Sequence, residues 1–186
     1  MDEDRTDATI AEVAAAVRRD MAASPEEWPP PDDAVPGEPS PEDAEVLAVV
    51  YRWFDAWNAR DPEAVAASLA ERGAFVEPST DGPLREADLA DHVRALVTRF
   101  PDLSFDLLAE SVTAPNTVMA EWLLRGTDAS LGRAVAVPGI DVVVVRDGRV
   151  LVARRLYDRV MLYEQLGLSV VLLPADDADG REQHAR

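Results

Sequence analysis

Apolar residues recur at helical spacing between Ser40 and Asn58. They occupy positions i, i+3, i+4, i+7, i+8 and i+11, and so share one helix face: Val46, Val49, Val50, Trp53, Phe54 and Trp57. Ser40 followed by Pro41 is typical of a helix cap and a first-turn proline. The pattern therefore predicts a helix that begins near Pro41, buries one face, and ends before Asp61.

Two further helices are predicted before the pattern changes. Asp61-Pro62-Glu63 starts a second helix that runs to about Glu71. A third helix over about 84–98 buries Leu89, Val93, Leu96 and Val97. Between these two helices, residues 74–77 read as a short strand that Pro78 stops.

After Pro101 the apolar positions alternate, which is typical of strands. Four strands are predicted, near 103–107, 118–124, 134–145 and 150–157. Asp147-Gly148 is a strong hairpin signal between the last two. A short helix over about 159–166 follows and ends at Gly167. Helices followed by an antiparallel meander predict an α+β domain over 42–168.

The segments on either side of this domain have a different composition. Residues 1–41 form an acidic, proline-rich extension, and its part 24–41 holds too little apolar surface to fold alone. Apolar spacing predicts an amphipathic helix over 8–22, which docks on the domain or on a partner, or else frays. Residues 169–186 are predicted to be a partly disordered tail.

Charge and composition exclude several classes of function. The net charge is −18, with 36 acidic residues against 18 arginines, and such a field disfavours nucleic-acid and membrane-surface partners. Cysteine is absent and the histidines are His92 and His184, so neither a thiolate site nor a His-rich metal site is expected. No apolar run reaches the roughly 20 residues of a membrane helix, and the acidic start differs from a secretory signal. A cytoplasmic protein without a cofactor is the expectation.

Several short segments together resemble the SnoaL-like polyketide cyclase family of the nuclear transport factor two-like superfamily. The first, Trp57-Asn58-Ala59-Arg60-Asp61, is similar to the family's W/F-N-x-x-D helix end. The second, Phe100-Pro101-Asp102-Leu103-Ser104-Phe105, is similar to its F-P-D-L-x-F entry to the sheet. The remaining segments follow in the family's order: Ala120-Glu121-Trp122, Pro138-Gly139-Ile140, Asp147-Gly148, Tyr157-Asp158 and Gln165-Leu166-Gly167.

The resemblance implies a cone in which three N-terminal helices pack on a curved, mostly antiparallel sheet and enclose a pocket. It also implies a homodimer formed through the sheet. The implied ligand is a hydrophobic, polyketide- or steroid-like small molecule. The implied activity is cofactor-free acid/base catalysis by a cyclase or isomerase.

The catalytic residues of these cyclases do not carry over. The family's acid/base aspartate lies three residues before the Tyr-Asp aspartate, and Arg155 stands at that position, so only Asp158 remains. The related epoxide hydrolases use an arginine and an aspartate where this chain has Trp122 and Leu124. Their water-activating relay is therefore absent.

A more distant resemblance to ketosteroid isomerase offers other candidates. Glu77 before Pro78 is similar to that enzyme's general base, and Asp141 after Ile140 is similar to its acid donor. The isomerase's tyrosine donor corresponds to Trp53. The resemblance implies that Glu77 moves a proton beside a carbonyl while Asp141 or Arg155 stabilises the oxygen.

Strand alternation, with the resemblance to fix the inner face, places further side chains in the pocket. Asp141, Arg155, Tyr157 and Trp122 would face inward, with Glu77 at the rim. Burial in an apolar cavity would raise the pKa of such a carboxyl group. The candidates for catalysis are Glu77, Asp141 and Arg155, and those for substrate binding are Trp53, Trp57, Trp122 and Tyr157.

Each candidate has a structural alternative. Glu77 can be a solvated strand end, and Asp141 with Arg155 a structural ion pair that would prevent Asp141 from donating a proton. The tryptophans can be ordinary core. Tyr157 and Asp158 can finish the strand and cap the last helix, and His92 reads as a surface residue.

Three functions therefore stay open: an acid/base enzyme, a non-catalytic binding or dimerisation module, and an interaction protein that acts through the acidic N-terminal segment. An enzyme predicts a cavity of about 300 Å³ or more that Glu77 or Asp141 faces. Filling of that cavity by Trp53, Trp57 and Trp122 would overturn the catalytic interpretation.

Overall fold

A computed structural model describes residues 39–169, and within that range four helices and five strands occur. The helices are α1 (Pro41–Asn58), α2 (Pro62–Ala67), α3 (Glu86–Arg99) and α4 (Arg159–Gln165). The strands are β1 (Leu69–Val76), β2 (Ser104–Ala114), β3 (Thr117–Asp128), β4 (Arg133–Arg146) and β5 (Arg149–Tyr157). The predicted helix over 8–22 and nearly all of the predicted N-terminal extension and C-terminal tail lie outside the described residues.

The five strands form one open sheet in the order β1-β5-β4-β3-β2. Strands β2 to β5 are an antiparallel meander, whereas β1 joins β5 in parallel. The predicted α+β class with a mostly antiparallel sheet is therefore confirmed.

The chain between α2 and β1 differs from the prediction. The second helix was expected to reach Glu71, but α2 ends at Ala67 and the strand already begins at Leu69. Leu69 is buried and pairs with Val150, and the peptide N–H of Val150 donates to Ser68 O at 2.9 Å. Pairing with the sheet edge therefore outweighs the local helical pattern, as tertiary context commonly does.

Helix α1 begins as its sequence predicts. The Ser40 side chain accepts a hydrogen bond from Asp43 N at 3.1 Å and caps the helix, with Pro41 in the first turn. All six residues of the predicted apolar face are buried. Fully burying one such large side chain contributes roughly 1.5–3 kcal/mol, so this face anchors α1 to the sheet.

Two of the segments that resemble the family contact each other. At the end of α1, Asn58 Nδ2 donates to Phe105 O at 3.0 Å, and Phe105 N donates to Asn58 Oδ1 at 2.7 Å. Next to these two hydrogen bonds, Arg60 Nη1 donates to Leu103 O at 3.0 Å. The asparagine thus fixes the end of α1 to the backbone at the start of β2, which explains the polar residues at positions 58 and 60.

Candidate functional site

The centre of the inner sheet face holds an ion pair. Asp141 on β4 and Arg155 on β5 are direct cross-strand partners. Arg155 Nε donates to Asp141 Oδ1 and Nη2 donates to Oδ2, both at 2.9 Å. The two residues are 0% and 1% exposed. A bidentate arrangement of this kind is the geometry in which arginine binds a carboxylate most strongly.

Two indoles complete the shell of Asp141. Trp122 Nε1 donates to Oδ1 at 3.0 Å and Trp53 Nε1 donates to Oδ2 at 3.4 Å. All four groups that contact the Asp141 carboxylate are donors, so it acts as an acceptor and gives a proton to none of them. The geometry is that of the structural ion pair, and it argues against the predicted role of Asp141 as a direct acid donor.

The Arg155 guanidinium is enclosed by aromatic rings. Its central carbon lies 4.3 Å from the ring centre of Phe105 and 4.5 Å from that of Trp57. The rings of Phe75 and Trp122 each lie at 5.2 Å. The interior that the resemblance assigned to a ligand is thus filled over much of its depth by the ion pair and the indoles.

A smaller chamber remains at one end of this filled interior. Its volume is about 130 Å³, below the size of about 300 Å³ expected for an enzyme of this fold. The chamber wall includes Glu77, His92, Trp122, Arg155, Tyr157 and Tyr163. Asp141, Trp53 and Trp57 do not line it. Trp53 and Trp57 are fully buried, so the geometry favours core packing over direct substrate binding for these two indoles.

Glu77 is the carboxylate that faces the chamber. It is only 7% exposed, directly after β1, and it accepts a very short hydrogen bond from Ser79 Oγ. Burial raises the pKa of Glu77, but the His92 ring, the positive charge of Arg155 and the Ser79 hydroxyl together act more strongly and hold that pKa below its ordinary value. The sequence predicted a raised pKa, and the structure shows the opposite direction because of these three neighbours. Glu77 is thus a carboxylate at neutral pH.

His92 is the site residue that sequence reasoning missed. It was predicted to be a surface residue, but its side chain on α3 is only 22% exposed, and Nε2 lies 3.2 Å from Glu77 Oε1. The contact is close, but His92 Nε2 has no hydrogen-bond partner within the described part of the chain. A signal existed in the sequence, since His92 stands three residues after Leu89 and four before Leu96, within the apolar stripe of α3.

Tyr157 and helix α4 form the opposite side of the chamber. Burial and the negative charge of Glu77 raise the pKa of Tyr157, so its phenol stays protonated and can donate a hydrogen bond. Asp158 caps α4 by accepting from Val160 N at 2.8 Å, which is the predicted structural alternative for this aspartate. Arg159 on α4 donates to Pro78 O at 2.8 Å, next to Glu77.

Among residues 39–169 no helix is long and apolar enough to cross a membrane. The same range contains no group of three or more His, Asp or Glu side chains arranged to hold a metal ion.

Solved structures of the same fold come from several bacteria. A SnoaL-like polyketide cyclase named as putative, from Jannaschia sp. CCS1, has a TM-score of 0.63 and 17% identity over 72% of this chain and 99% of its own. A hypothetical protein of ketosteroid isomerase-like fold from Catenulispora acidiphila, in complex with trimethylamine, has a TM-score of 0.61 and 17% identity over 68% and 97%. AclR from Streptomyces galilaeus, named as a putative hydroxylase, has a TM-score of 0.60 and 17% identity over 74% and 93%.

Sequence comparison gives the family itself. No protein of curated function matches the chain. The SnoaL-like domain model matches residues 50–153, which is more than half of the 186 residues and includes β1 to β4 and most of β5. The chain therefore belongs to the SnoaL-like domain family.

Proposed function

We propose that this SnoaL-like domain binds a small carbonyl compound in the Glu77 chamber and acts on it by cofactor-free acid/base catalysis, as an isomerase or cyclase. The observation that carries the proposal is a buried carboxylate, ionised at neutral pH, that faces a cavity beside a protonated tyrosine. A base and a donor within one water-excluding site are the groups that enolate chemistry requires.

In this mechanism Glu77 removes a proton from the carbon next to the carbonyl group. The electron pair of that C–H bond forms a carbon–carbon double bond, and the π pair of the carbonyl group moves to its oxygen, where the Tyr157 hydroxyl donates a hydrogen bond to the enolate. In an isomerase the substrate is an unsaturated ketone, and Glu77 returns the proton to the far carbon of the dienolate, so that the double bond moves. In a cyclase the enolate carbon attacks a second carbonyl group of the same molecule, and Glu77 returns the proton to the alkoxide that forms. No oxidant or cofactor is needed for these steps.

Arg155 supports the developing negative charge from the chamber wall. Two of its nitrogens, Nε and Nη2, bind Asp141, and Nη1 is the one left over. Asp141 acts in this scheme through Arg155, because it fixes the plane and position of the guanidinium. The predicted catalytic set thereby becomes Glu77 as base, Arg155 as electrostatic partner and Asp141 as positioning residue.

The walls of the chamber support an apolar ligand with one polar end. The apolar residues that line it are Leu96, Phe100, Leu124, Val137 and Leu162. Of its polar residues, Ser79, His92, Arg155 and Tyr157 interact with Glu77, whereas Arg99 is paired with Asp128. Hydrophobic walls with a few convergent polar groups are typical of small-molecule sites. A ligand of the hydrophobic, polyketide- or steroid-like class predicted from the sequence would place only its reacting carbonyl end in the chamber, next to Glu77, and the rest of its skeleton would stay outside.

Deuterium incorporation tests the proposal without knowledge of the natural substrate. The protein in D₂O is mixed with a panel of cyclic ketones and 1,3-diketones, and exchange at the carbon next to the carbonyl is followed by ¹H NMR. Glu77→Gln is expected to slow the catalysed exchange by about 10²–10⁴-fold, the usual contribution of a general base. Glu71→Gln is the control, because Glu71 is an exposed acid on β1, the strand that Glu77 directly follows. Equal exchange by wild type and Glu77→Gln would contradict the proposal.

The filled interior favours a second candidate, a non-catalytic binding or dimerisation module of the same fold. The three tryptophans at the centre are fully buried and the ion pair beside them is closed to solvent. For this candidate, ligands that perturb the NMR signals of His92 and Tyr157 would bind equally to wild type and Glu77→Gln. Wild type would then catalyse no deuterium exchange with any ligand that binds.

The outer sheet face supports the predicted homodimer. On it, Leu156 is 50% exposed and lies opposite Ile140, and Met119 is 41% exposed and lies opposite Val142. Glu121 and Arg154 lie opposite Ile140 and Val142 on the same face, so the surface combines exposed apolar and charged side chains. Exposed large apolar side chains rimmed by polar ones support an interaction surface. Leu156→Glu is expected to shift the protein from dimer to monomer in sedimentation velocity, whereas Leu131→Glu, in the β3–β4 turn, leaves the dimer intact. A monomeric wild type would contradict the dimer.

A further inference from the structure

We infer that the Glu77 chamber admits a single ring or an equally compact molecule, and that Leu162 and Tyr163 on α4 set this limit. The inference rests on the proposed use of the chamber as the ligand site. It narrows the substrate class, because a fused polycyclic skeleton would not enter as a whole.

The volume gives the first argument. The chamber holds about 130 Å³. Sites for drug-sized ligands range over roughly 300–1,000 Å³, whereas a dry cavity of about 150 Å³ accommodates benzene. One six-membered ring with a carbonyl group therefore approaches the capacity of the chamber, and three fused rings exceed it.

Two residues that line the chamber are held too firmly to move aside for a larger ligand. These are Trp122 and Arg155, which are 0% and 1% exposed and are hydrogen-bonded to Asp141. Strand β4 also confines the Trp122 ring. The direct partner of Trp122 there is Gly139, and the ring lies so close to it that an added Cβ would be 2.5 Å from ring atom Cζ2. Displacing the indole would remove one hydrogen-bond donor from the buried Asp141 carboxylate and leave buried polar groups unpaired, which is unfavourable.

The movable wall is α4. No residue of this seven-residue helix is fully buried, although Leu162 packs partly against the core and Leu166, directly after the helix, is buried. The ends of the helix are also tied by hydrogen bonds. Arg159 binds Pro78 O at its start, and the Gln165 amide both accepts from Ala136 N at 2.6 Å and donates to Ala136 O at 2.9 Å at its end. Between these ties Leu162 and Tyr163 face the chamber and close one side of it.

The test compares ligands of increasing ring number by NMR titration of the full-length protein. The probes are cyclohexanone, 1-tetralone and anthrone, which have one, two and three rings and one ketone each. For wild type we expect perturbation of the His92 and Tyr157 signals by cyclohexanone and none by anthrone. Leu162→Ala is expected to strengthen 1-tetralone binding at least tenfold relative to cyclohexanone, and Tyr163→Ala to do the same. Leu131→Ala, in the exposed β3–β4 turn, is the control and is expected to leave the order of affinities for the three ketones unchanged.

Three outcomes overturn the inference. The first is that anthrone binds wild type as tightly as cyclohexanone does. The second is that both α4 variants keep the wild-type order of affinities for the three ketones while near-ultraviolet circular dichroism shows that they are folded. The third is that no ketone perturbs the signals of His92 and Tyr157. Catalysis is judged separately, because ring size is measured by binding alone. If the size order holds and deuterium exchange is absent, the size limit stands and the acid/base proposal fails.

Discussion

Asp141 and Arg155, opposite each other on β4 and β5, form a two-hydrogen-bond ion pair that solvent does not reach. The attraction between two buried charges offsets their desolvation only when the geometry is good and the remaining polar atoms are satisfied. Here the indole N–H groups of Trp53 and Trp122 donate the remaining hydrogen bonds to the Asp141 carboxylate. The pair therefore behaves as one unit, and removing either partner alone should be costly.

Asp141→Asn is expected to destabilise the fold by about 3–5 kcal/mol, because Arg155 is left as a buried charge without its counterion. Urea unfolding followed by tryptophan fluorescence measures the change in the free energy of unfolding. Asp106→Asn is the matched control, since Asp106 forms an exposed ion pair with Arg125 at 2.8 Å and should cost at most about 1 kcal/mol. A loss at Asp141 no larger than that at Asp106 would show that the buried pair contributes little.

The hydrogen bond from Trp122 to Asp141 can be isolated by comparing two fully buried indoles. Trp122→Phe removes this donor, whereas Trp57→Phe removes an indole N–H that has no hydrogen-bond partner in the described part of the chain. Both changes shorten a buried ring similarly. Trp122→Phe should therefore cost about 1.5–3 kcal/mol more than Trp57→Phe, the usual contribution of a hydrogen bond to a charged group. Equal losses in urea unfolding would argue against this role for the indole.

Gly139 is required for the close approach of Trp122. An added Cβ would lie 2.7 Å from Leu156 O and closer still to the Trp122 ring. Gly139→Ala is therefore expected to cost about 1–3 kcal/mol or more through overpacking, and to weaken the Trp122 contact with Asp141. Gly82→Ala is the control, because nothing lies within 4 Å of its Cβ position. Thermal unfolding of the Gly139→Ala and Gly82→Ala variants measures the difference. An unchanged unfolding midpoint for Gly139→Ala would contradict the close packing of Trp122 on Gly139.

Acid sensitivity is expected from Asp128 at the end of β3. The Ser130 hydroxyl and the Arg99 guanidinium, at 2.6 Å each, lower the pKa of Asp128 against the opposing effect of burial. Because the folded-state pKa lies below the unfolded one, the stability it contributes is complete above about pH 4 and is lost as the pH falls through the folded pKa. Asp128→Asn should flatten the decline in stability below pH 4, whereas Asp55→Asn on the exposed face of α1 should not. A parallel decline in wild type and Asp128→Asn would contradict this.

The sheet and the first helix follow from local pattern. The alternation after Pro101 and the Asp147-Gly148 turn correctly predict the meander, and the spacing from Val46 to Trp57 correctly predicts the buried face of α1. The start of β1 was not predictable, because Leu69 fits a helical pattern equally well and only its parallel pairing with Val150 decides.

The site was predictable only in part. Alternation places Asp141 and Arg155 on one face, but their neighbours, and hence which of them reaches the chamber, depend on side-chain packing between strands. The direction of the Glu77 pKa shift depends on His92, which is 15 positions away in sequence on another element. No spacing rule connects a strand end to a helix face in this way.

The pKa of Glu77 tests the account most directly, because its direction decides the effect assigned to His92, Arg155 and Ser79, and because Glu77 must be ionised at neutral pH to act as a base. With ¹³C-labelled glutamate, the Glu77 carboxyl resonance, assigned by its loss in Glu77→Gln, is followed from pH 7 to pH 3. The account predicts a pKa below the ordinary value of about 4.3, and an upward shift of that pKa in His92→Gln. A pKa of Glu77 above that ordinary value would contradict it.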